Sequence, residues 1–528
     1  MALIEFPGEV PESVAVDGAA WSMRWLVNGE VRTWSGDGMD VRSPVLMGGA
    51  RAVVGRLPMV SAEAALEALA AAKQAWASGR GAWPTMRTAK RVGALETFID
   101  LMVKQREEVV RLLMWEIGKT RKDSETEFDR TVTYLRDTVE ALKAIHRDGS
   151  RFMIEAGTLG QIRRAPLGVT LCMGPFNYPL NETFTTLIPA LAMGCTVVAK
   201  LPRYGGMAMV PLLDAFAKAF PPGVVNVFQG DGATTVGPIM QSGDIDALAF
   251  IGSSRVANIL RKQHPRPNRM RCITGLESKN PAVILPDADL DLAVKECVAG
   301  ALSFNGQRCT ALKLLFVHES VAPAFVDKLA AAVSALKAGV PWAPGAQVTP
   351  LPEDGKPEWM AKYAADAVLH GARVLTGGEA EATFYRPAVL FPVAPAAKLY
   401  AEEQFGPIVP VTTFSSDAEI DAFMQSSPYG QQISLFGRDP RRIAGLIDAL
   451  ANQVCRINLN TQCRRGPDTF PFTGRKDSAE GTLSVHDALR CFSIRSVVAA
   501  QTDPASKQLV QDIVASRASS FLSTDYIF

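Results

Sequence analysis

A cysteine and an arginine stand side by side in residues 304–310, Phe-Asn-Gly-Gln-Arg-Cys-Thr, a polar loop between two apolar runs. A thiolate attacks a carbonyl carbon well only when a nearby cation or dipole lowers the pKa of the thiol, and Arg308 beside Cys309 is a candidate for that cation. A lone cysteine is more often a small buried apolar residue. Cys309 is therefore a candidate nucleophile that needs the support of a second motif.

That second motif lies at residues 174–182, Gly-Pro-Phe-Asn-Tyr-Pro-Leu-Asn-Glu, more than a hundred residues upstream. Together the two segments resemble the aldehyde dehydrogenase superfamily, and residues 402–407 and 472–478 resemble later motifs of that family in the same order. The resemblance covers nearly the whole chain. It implies an α/β fold with a Rossmann-type cofactor domain, an α/β catalytic domain and a small oligomerisation β-extension.

Composition narrows the classes of partner. A chain of 528 residues is too long for one core and predicts two or three domains. A net charge of +1 with 21% charged residues predicts no nucleic-acid partner. The eight cysteines lack paired C-x-x-C spacing, so no metal site or disulfide framework is expected. This cysteine usage predicts a reducing, cytoplasmic location. The apolar stretch 187–199 is broken by Pro189 and Gly194 and is too short to span a membrane.

Apolar periodicity divides the chain into helical and alternating parts. Residues 62–146 are predicted to be mostly helical. From Gly168 onward short β-branched runs alternate with helical patterns, and a second such series begins near Pro281, which indicates crossover units and parallel sheets. The predicted strands are residues 169–173, 196–199, 224–228 and 247–251 in the first series and 282–285, 314–317 and 456–459 in the second.

A strand-to-helix turn at residues 250–254, Phe-Ile-Gly-Ser-Ser, places backbone N–H groups and a positive helix end where a pyrophosphate can bind. By spacing alone the signal is weak, because there is no G-x-G-x-x-G. The resemblance implies that Gly252 and Ser253 meet dinucleotide phosphates. It also implies a wider set of cofactor-binding residues, with Lys200 at the adenine ribose, Glu403 at the nicotinamide ribose, Gly232 and Phe405.

Arg203 distinguishes between the two nicotinamide dinucleotides. In the resembled family, NAD-using members typically carry a glutamate at this place, which accepts a hydrogen bond from the ribose 2′-hydroxyl and repels a 2′-phosphate. An arginine instead makes a charge-assisted contact with the 2′-phosphate. The expected cofactor is therefore NADP.

The resemblance and the predicted elements together give a domain prediction. Residues 1–148 and 168–274 form a discontinuous NADP-binding domain, residues 275–485 a catalytic domain and residues 504–528 a carboxyl-terminal tail. Residues 149–167 and 486–503 form an oligomerisation segment, because such segments pair between subunits in the resembled family. A homodimer or homotetramer is expected.

Asn177 and Cys309 imply a chemistry. In the resembled family the thiolate attacks an aldehyde, and the tetrahedral oxyanion is held by an asparagine amide, here Asn177, and the backbone N–H of the nucleophile. An isolated Asn-x-Pro more often caps a turn. Lys119 matches a further family signature, without a chemical role assigned to it.

Gly275 departs from the family pattern. Most members carry a glutamate that activates water for thioester hydrolysis, and alignment on Lys279 and Cys309 puts Gly275 in its place. Three explanations remain open: Glu277 reaches the site by a rerouted loop, another group activates water, or the thioester passes to another acceptor such as coenzyme A. The first is preferred, because Glu277 lies in the same loop and the strand-like run 282–285 follows undisturbed.

Residues 460–472 closely resemble the Gln-x-x-Arg-Gly-Pro-Asp-x-Phe-Pro-Phe segment of non-phosphorylating glyceraldehyde-3-phosphate dehydrogenases. In those enzymes arginines bind the substrate phosphate. The resemblance implies a substrate pocket of Arg465, Arg308, Arg130 and Tyr178. Converging guanidinium groups suit a phosphate dianion and hold the aldehyde near the thiolate.

The sequence therefore predicts NADP-dependent oxidation of glyceraldehyde 3-phosphate to 3-phosphoglycerate. Three alternatives remain. The substrate is another anionic aldehyde, such as a carboxylated semialdehyde; the enzyme transfers its acyl group to coenzyme A; or the chain is a binding or structural protein that has kept the fold and lost turnover.

Overall fold

The computed structural model describes residues 3–525, and two large sheets organise most of that length. The four strands predicted for the first series are the centre of the first sheet, where they pair in parallel. An amino-terminal hairpin, which the sequence did not predict, extends one edge. The spatial order of the first sheet is Glu30–Thr33, Arg24–Val27, Val225–Phe228, Thr196–Lys200, Val169–Met173, Ala247–Ile251, Arg271–Gly275 and Ala479–Glu480.

The second sheet contains all three strands predicted for the second series and four more. Its central strands are almost wholly buried because helices cover both faces, as the continuous β-branched runs require. Its spatial order is Arg373–Thr376, Ala388–Phe391, Ile408–Phe414, Leu314–His318, Pro281–Ile284, Gln432–Phe436 and Arg456–Leu459.

The predicted helical region is confirmed. It holds Ala62–Trp76, Thr88–Val103, Arg106–Ile117 and Arg121–Asp148. The last of these begins where the Thr120 side chain accepts from the backbone N–H of Asp123, and its apolar stripe faces the core. The other helices are Gly18–Trp21, Asn181–Met193, Leu213–Ala219, Gly237–Gln241, Ser254–Gln263, Leu290–Leu302, Ala322–Ser334, Lys356–Leu369, Lys398–Ala401, Asp417–Ser426, Pro440–Leu450, Val485–Cys491 and Pro504–Ala515.

A three-stranded antiparallel sheet stands apart from the two large ones, with Thr158–Pro166 between Ser493–Gln501 and Phe152–Glu155. The carboxyl-terminal residues return to it: the Gln161 amide donates to the Ser523 carbonyl at 2.7 Å and accepts from the Ser523 N–H at 3.1 Å. Smaller pairs are Gly38–Met47 with Ala50–Pro58, Ala380–Glu381 with Phe384–Tyr385, and Tyr429–Gly430 with Arg475–Lys476.

Residues 3–525 contain neither a membrane-spanning helix nor a metal-binding cluster of side chains. None of their helices has the length and apolar content needed to cross a bilayer. Within the same range, no three His, Cys, Asp or Glu side chains gather in a way that suits a metal ion.

The carboxyl ends of the first sheet bring three sequence motifs together. Strand Val169–Met173 leads into the 174–182 loop, strand Ala247–Ile251 leads into helix Ser254–Gln263, and the neighbouring strand ends at Gly275, which pairs with Ile251. Parallel strands share one carboxyl edge, and in open α/β sheets ligands bind there. The fold therefore places the Asn177, Ser253 and Glu277 segments at a single cleft.

Candidate active site

A cavity of about 830 Å³ collects most of the predicted site residues. Its wall contains the three predicted catalytic residues, the four residues predicted to bind the substrate, and four of the seven predicted cofactor residues. These lining residues are Asn177, Cys309, Glu277, Arg130, Tyr178, Arg308, Arg465, Gly252, Ser253, Glu403 and Phe405. Lys200, Arg203 and Gly232 lie outside this wall.

The turn that carries the nucleophile is held in an uncommon conformation. Phe304, Asn305 and Gly306 have φ values of 48°, 54° and 69°, in the left-handed region that costs an ordinary residue about 1–3 kcal/mol. The Asn305 amide donates to the carbonyl and hydroxyl oxygens of Thr349, both at 3.0 Å, and its oxygen accepts from the Thr349 N–H at 3.0 Å. A Cβ at Gly306 would lie 2.6 Å from the Gly406 carbonyl, so only glycine fits. Residue 309 is thereby presented in one orientation.

The backbone of Cys309 is fixed through its carbonyl oxygen. That oxygen accepts from the Asn280 amide at 2.8 Å, from Lys313 Nζ at 2.7 Å and from the Ser278 hydroxyl. Lys313 is fully buried and also pairs with Glu403 at 2.8 Å. This buried cation, four residues after the cysteine, was not identified from the sequence, where one lysine among many carries no signal of its environment.

Asn177 faces the nucleophile turn. Its Nδ2 donates to the Gln307 carbonyl at 2.7 Å, two residues before Cys309. From behind, Lys119 Nζ donates to the Asn177 carbonyl at 2.8 Å and pairs with Glu127, whose carboxylate accepts from the N–H groups of Leu180 and Asn181, both at 3.1 Å. Lys119 and Glu127 therefore position the loop that presents the amide, a role the sequence did not assign to Lys119.

The thiol of Cys309 ionises less readily than an ordinary cysteine. Burial raises its pKa and the Glu182 carboxylate raises it further, while Lys313 and Arg465 oppose that shift. The expectation that Arg308 lowers this pKa is wrong. Arg308 Nη2 instead donates to the carbonyls of Ala299 at 3.2 Å and Gly300 at 2.7 Å, because the last carbonyls of a helix lack partners and attract cations.

The predicted arginines converge on the cavity together with two carboxylates. Arg130 binds Asp468 through Nε at 2.8 Å and Nη2 at 2.7 Å, and Arg465 binds the same carboxylate through Nε at 3.2 Å. Arg465 also pairs with Glu182. Burial raises the pKa of Asp468, but the two arginines outweigh it and hold that pKa below its usual value. Neither Glu182 nor Asp468 was identified as a site residue, although both stand in the quoted motifs.

Four of the residues predicted to meet the cofactor line the same cavity. The Ser253 side chain caps helix Ser254–Gln263 by accepting from Val256 at 3.3 Å, and Glu277 accepts from the backbone N–H of Ser254 at 2.7 Å. Glu403 accepts from the Ser278 N–H at 3.1 Å. Phe405 packs against Phe176, with ring centroids 5.8 Å apart.

The remaining predicted cofactor residues lie farther along the first sheet. Lys200 ends its strand, and burial lowers its pKa to about 8. Gly232 opens the turn capped by Asp231, with open space where a Cβ would stand. Arg203 is exposed, with Nη2 3.9 Å from Asp354 and the guanidinium 5.5 Å from the Tyr204 ring centroid. Its long side chain is free to turn toward a ligand.

Comparison of the sequence with known proteins agrees with this geometry. A model described as "Aldehyde dehydrogenase family" matches residues 34–498. The chain belongs to the aldehyde dehydrogenase family. It is an oxidoreductase, and the predicted fold class is confirmed. The chain is 31% identical over 420 residues to an NADP-dependent glyceraldehyde-3-phosphate dehydrogenase of Streptococcus equinus, covering 78% of this chain and 86% of that protein.

Two further relatives mark the range of similar enzymes. A glutarate-semialdehyde dehydrogenase of Pseudomonas putida is 29% identical over 433 residues, covering 81% of this chain and 88% of that protein. The crystal structure of an NADP-dependent glyceraldehyde-3-phosphate dehydrogenase from Bacillus halodurans, complexed with NADP, has a TM-score of 0.85 at 29% identity and covers 91% of this chain and all (100%) of that one. Similar enzymes thus include oxidants of phosphorylated and of carboxylated aldehydes.

The residues present fit a nicotinamide dinucleotide. The helix that begins at Ser254 presents its positive end to the cavity beside Gly252. A Cβ on Gly252 would lie only 2.4 Å from the Phe250 ring, so a side chain there would force that ring to move. Lys200 adds a nearly buried cation along the same sheet edge. This donor set, with Glu403 as an acceptor, suits a molecule with two phosphates and two riboses.

Replacing Glu182 with glutamine is expected to make Cys309 more reactive. The change removes a charge that raises the thiol pKa and leaves Arg465, which lowers it, less compensated. Each 1.4 kcal/mol of removed repulsion gives about a tenfold larger thiolate population below the pKa. The measurement is the pH dependence of iodoacetamide labelling. Glu353→Gln, in the same cavity wall but paired with Lys356 at 3.2 Å, should label like the unmodified protein. Equal labelling of Glu182→Gln would contradict the assigned effect.

Proposed function

We propose that the enzyme oxidises glyceraldehyde 3-phosphate to 3-phosphoglycerate with NADP and water, without inorganic phosphate. The observation that carries the proposal is the shared cavity, whose lining contains three arginines and Tyr178 together with Cys309. The name of the Streptococcus equinus relative supports both the substrate and the cofactor. Arg203 supports NADP, because its exposed guanidinium is free to meet a 2′-phosphate.

The residues around Cys309 account for the first half of the reaction. The thiolate forms a bond to the aldehyde carbon, and the carbonyl π electrons become an oxyanion that Asn177 Nδ2 and the Cys309 N–H stabilise. Gly252 and Ser253 would hold NADP, which would supply the acceptor for the hydride that leaves that carbon. The oxyanion then re-forms a carbonyl and leaves a thioester on Cys309. Water next attacks the thioester, releases the acid, and returns a proton to the sulfur.

We assign the activation of that water to Glu277. Gly275 has no side chain to take a proton, and Glu277 lines the same cavity as Cys309. Proton transfer from water is a general-base step that typically contributes about 100-fold to 10,000-fold in rate. Glu403 is less available, because it is bound to Lys313 and Ser278.

A carboxylated semialdehyde is the second candidate substrate, and the charges of the pocket favour it. Arg130 and Arg465 are paired with two carboxylates, Asp468 and Glu182, so these two arginines leave little positive charge for a phosphate dianion. Arg308 has only backbone carbonyls as partners, and its buried Nε has none among residues 3–525. The single Arg308 guanidinium can pair with the one carboxylate of a semialdehyde substrate. The Pseudomonas putida relative is named for an aldehyde of that kind.

Turnover of matched aldehydes tests the proposal. Glyceraldehyde 3-phosphate is expected to have a kcat/KM about 100-fold above that of glyceraldehyde, since hydrogen bonds to charged groups contribute about 1.5–3 kcal/mol each. Arg130→Gln should reduce that preference. Arg106→Gln is the control and should leave that preference unchanged. Arg106 binds Asp129 through Nε and Nη2, as Arg130 binds Asp468, but on an exposed helix face. Equal rates for both aldehydes would exclude a phosphate-binding pocket, and faster succinic semialdehyde oxidation would favour the second candidate.

The same assay separates the other classes. Free acid formed only after coenzyme A is added would favour acyl transfer. NADP binding with aldehyde-dependent labelling of Cys309 and no turnover would indicate a binding protein. The eight cysteines are free, which supports the proposed cytoplasmic setting.

We also propose the domain division and the self-association predicted from the sequence. Residues 1–148 and 168–274 are assigned to NADP, 275–485 to catalysis, and 149–167 with 486–503 to contact with a second copy. The three-stranded sheet supports the last assignment, because Ile154 and Val497 are 64% and 61% exposed there. Light scattering should report two or four chains, and a monomer would contradict it.

A further inference from the structure

The carboxylate of Glu277 occupies the amino end of helix Ser254–Gln263. Its Oε2 accepts from the backbone N–H of Ser254 at 2.7 Å, while the adjacent Ser253 side chain accepts from Val256. The first N–H groups of a helix have no partner within it, and they attract negative charge. The chain therefore provides its own anion for this helix end.

This helix end is also the proposed place of the dinucleotide phosphates. Gly252, Ser253 and Glu277 all line the cavity that holds Cys309. A phosphate oxygen and the Glu277 carboxylate cannot both take the Ser254 N–H at hydrogen-bond distance, and two anions that close repel each other. Binding of the cofactor at this end requires Glu277 to leave it.

The backbone around Glu277 limits where the displaced carboxylate goes. The Leu276 N–H donates to the Ser478 carbonyl at 2.8 Å, and the Ser278 N–H donates to Glu403 at 3.1 Å. With both neighbours held, the side chain leaves the helix end by rotation rather than by movement of the segment. The space open to it is the cavity, whose lining also includes Cys309.

We propose that Glu277 and the cofactor phosphates exchange at the Ser254 N–H. Without cofactor, Glu277 is bound over the helix end. Binding of the dinucleotide releases the carboxylate into the cavity, so that a base is delivered only to an enzyme that holds its oxidant. The inference rests on the proposed cofactor site and explains how a glutamate two residues past Gly275 reaches the reaction.

The affinity of the full-length protein for NADP and NAD tests the exchange without any aldehyde. Glu277→Gln is expected to bind both dinucleotides about threefold or more tightly by calorimetry, because a neutral amide competes more weakly than a carboxylate at a helix end. Both share the pyrophosphate, so both should respond. Glu353→Gln removes a charge from the same wall but leaves Ser254 unchanged, and its affinities should match those of the unmodified enzyme.

The outcomes separate this exchange from the proposed function. Unchanged or weaker binding in Glu277→Gln would overturn the exchange, whichever dinucleotide is preferred. A preference for NAD over NADP would contradict the proposed cofactor. The exchange would still be tested by the ratio of the dinucleotide affinity of Glu277→Gln to that of the unmodified enzyme. If Glu353→Gln also bound the dinucleotides equally more tightly, the gain in affinity would come from the loss of negative charge in general. That result would also overturn the exchange.

Discussion

Replacing Asn177 with alanine is expected to lower kcat for aldehyde oxidation by about 100-fold to 1000-fold, as loss of one oxyanion donor does elsewhere. Asn177 Nδ2 lies 2.7 Å from the Gln307 carbonyl, in the turn that presents Cys309. The oxyanion forms only after the thiolate has attacked, so the amide stabilises the transition state and not the bound aldehyde. KM should therefore change little. Steady-state kinetics with a saturating dinucleotide measure both parameters.

Asn181→Ala is the matched control for that change. Asn181 opens the helix that follows the Asn177 loop, its side-chain Oδ1 accepts from the Thr131 hydroxyl at 3.3 Å, and its backbone N–H donates to Glu127. Losing its amide should reduce stability without a comparable loss of kcat. A kcat for Asn177→Ala near that of the unmodified enzyme would remove Asn177 from the oxyanion site.

The short motifs predicted which residues meet in the cavity. Cys309 and Asn177 stand in loops whose sequences are specific, and the alternating pattern predicted the parallel strands that end beside them. The loops that follow parallel strands all lie at the same edge of the sheet. The predicted strands therefore also predicted that these loops lie close together. That reasoning needed only local patterns and a topological rule.

The directions and partners of charged side chains were not predictable in the same way. Arg308 turns to the end of helix Leu290–Leu302 and away from the thiol beside it in sequence. Glu182 pairs with Arg465, 283 positions away. Such pairings depend on which distant element packs nearby, and no periodicity records that. Lys313 and Glu182 therefore set the charge around Cys309 without any signal in the sequence.

Short edge elements were missed for a different reason. Arg24–Val27 and Glu30–Thr33 are four-residue strands that join the first sheet only through contact with Val225–Phe228 and each other. A run of four residues carries too few alternations to identify a strand. Their conformation is set by the sheet edge that they extend, which is a tertiary effect.

Glu277→Gln is expected to lower steady-state turnover by about 100-fold while leaving a rapid first turnover of NADPH intact. Attack and hydride transfer use Cys309 and Asn177, so they do not need the carboxylate, whereas hydrolysis of the thioester loses its general base. Stopped-flow absorbance of NADPH separates the two phases. Loss of the burst would place Glu277 before hydride transfer, and unchanged turnover would remove it from the mechanism.

Adding Gly275→Glu to that variant should restore turnover. Gly275 lines the cavity, and a Cβ built on it meets only Ile251 and Leu483 side chains, each at 3.5 Å, which is ordinary contact. The Cβ of a glutamate fits there. The family resemblance of this segment implies that the hydrolytic base stands at this position in most members. Gly275→Ala in the same background adds the Cβ without the carboxylate and should leave turnover slow. Recovery with glutamate alone would show that thioester hydrolysis, and not aldehyde binding, is what Glu277 supports; equal recovery with alanine would attribute the effect to packing and contradict the role of a base.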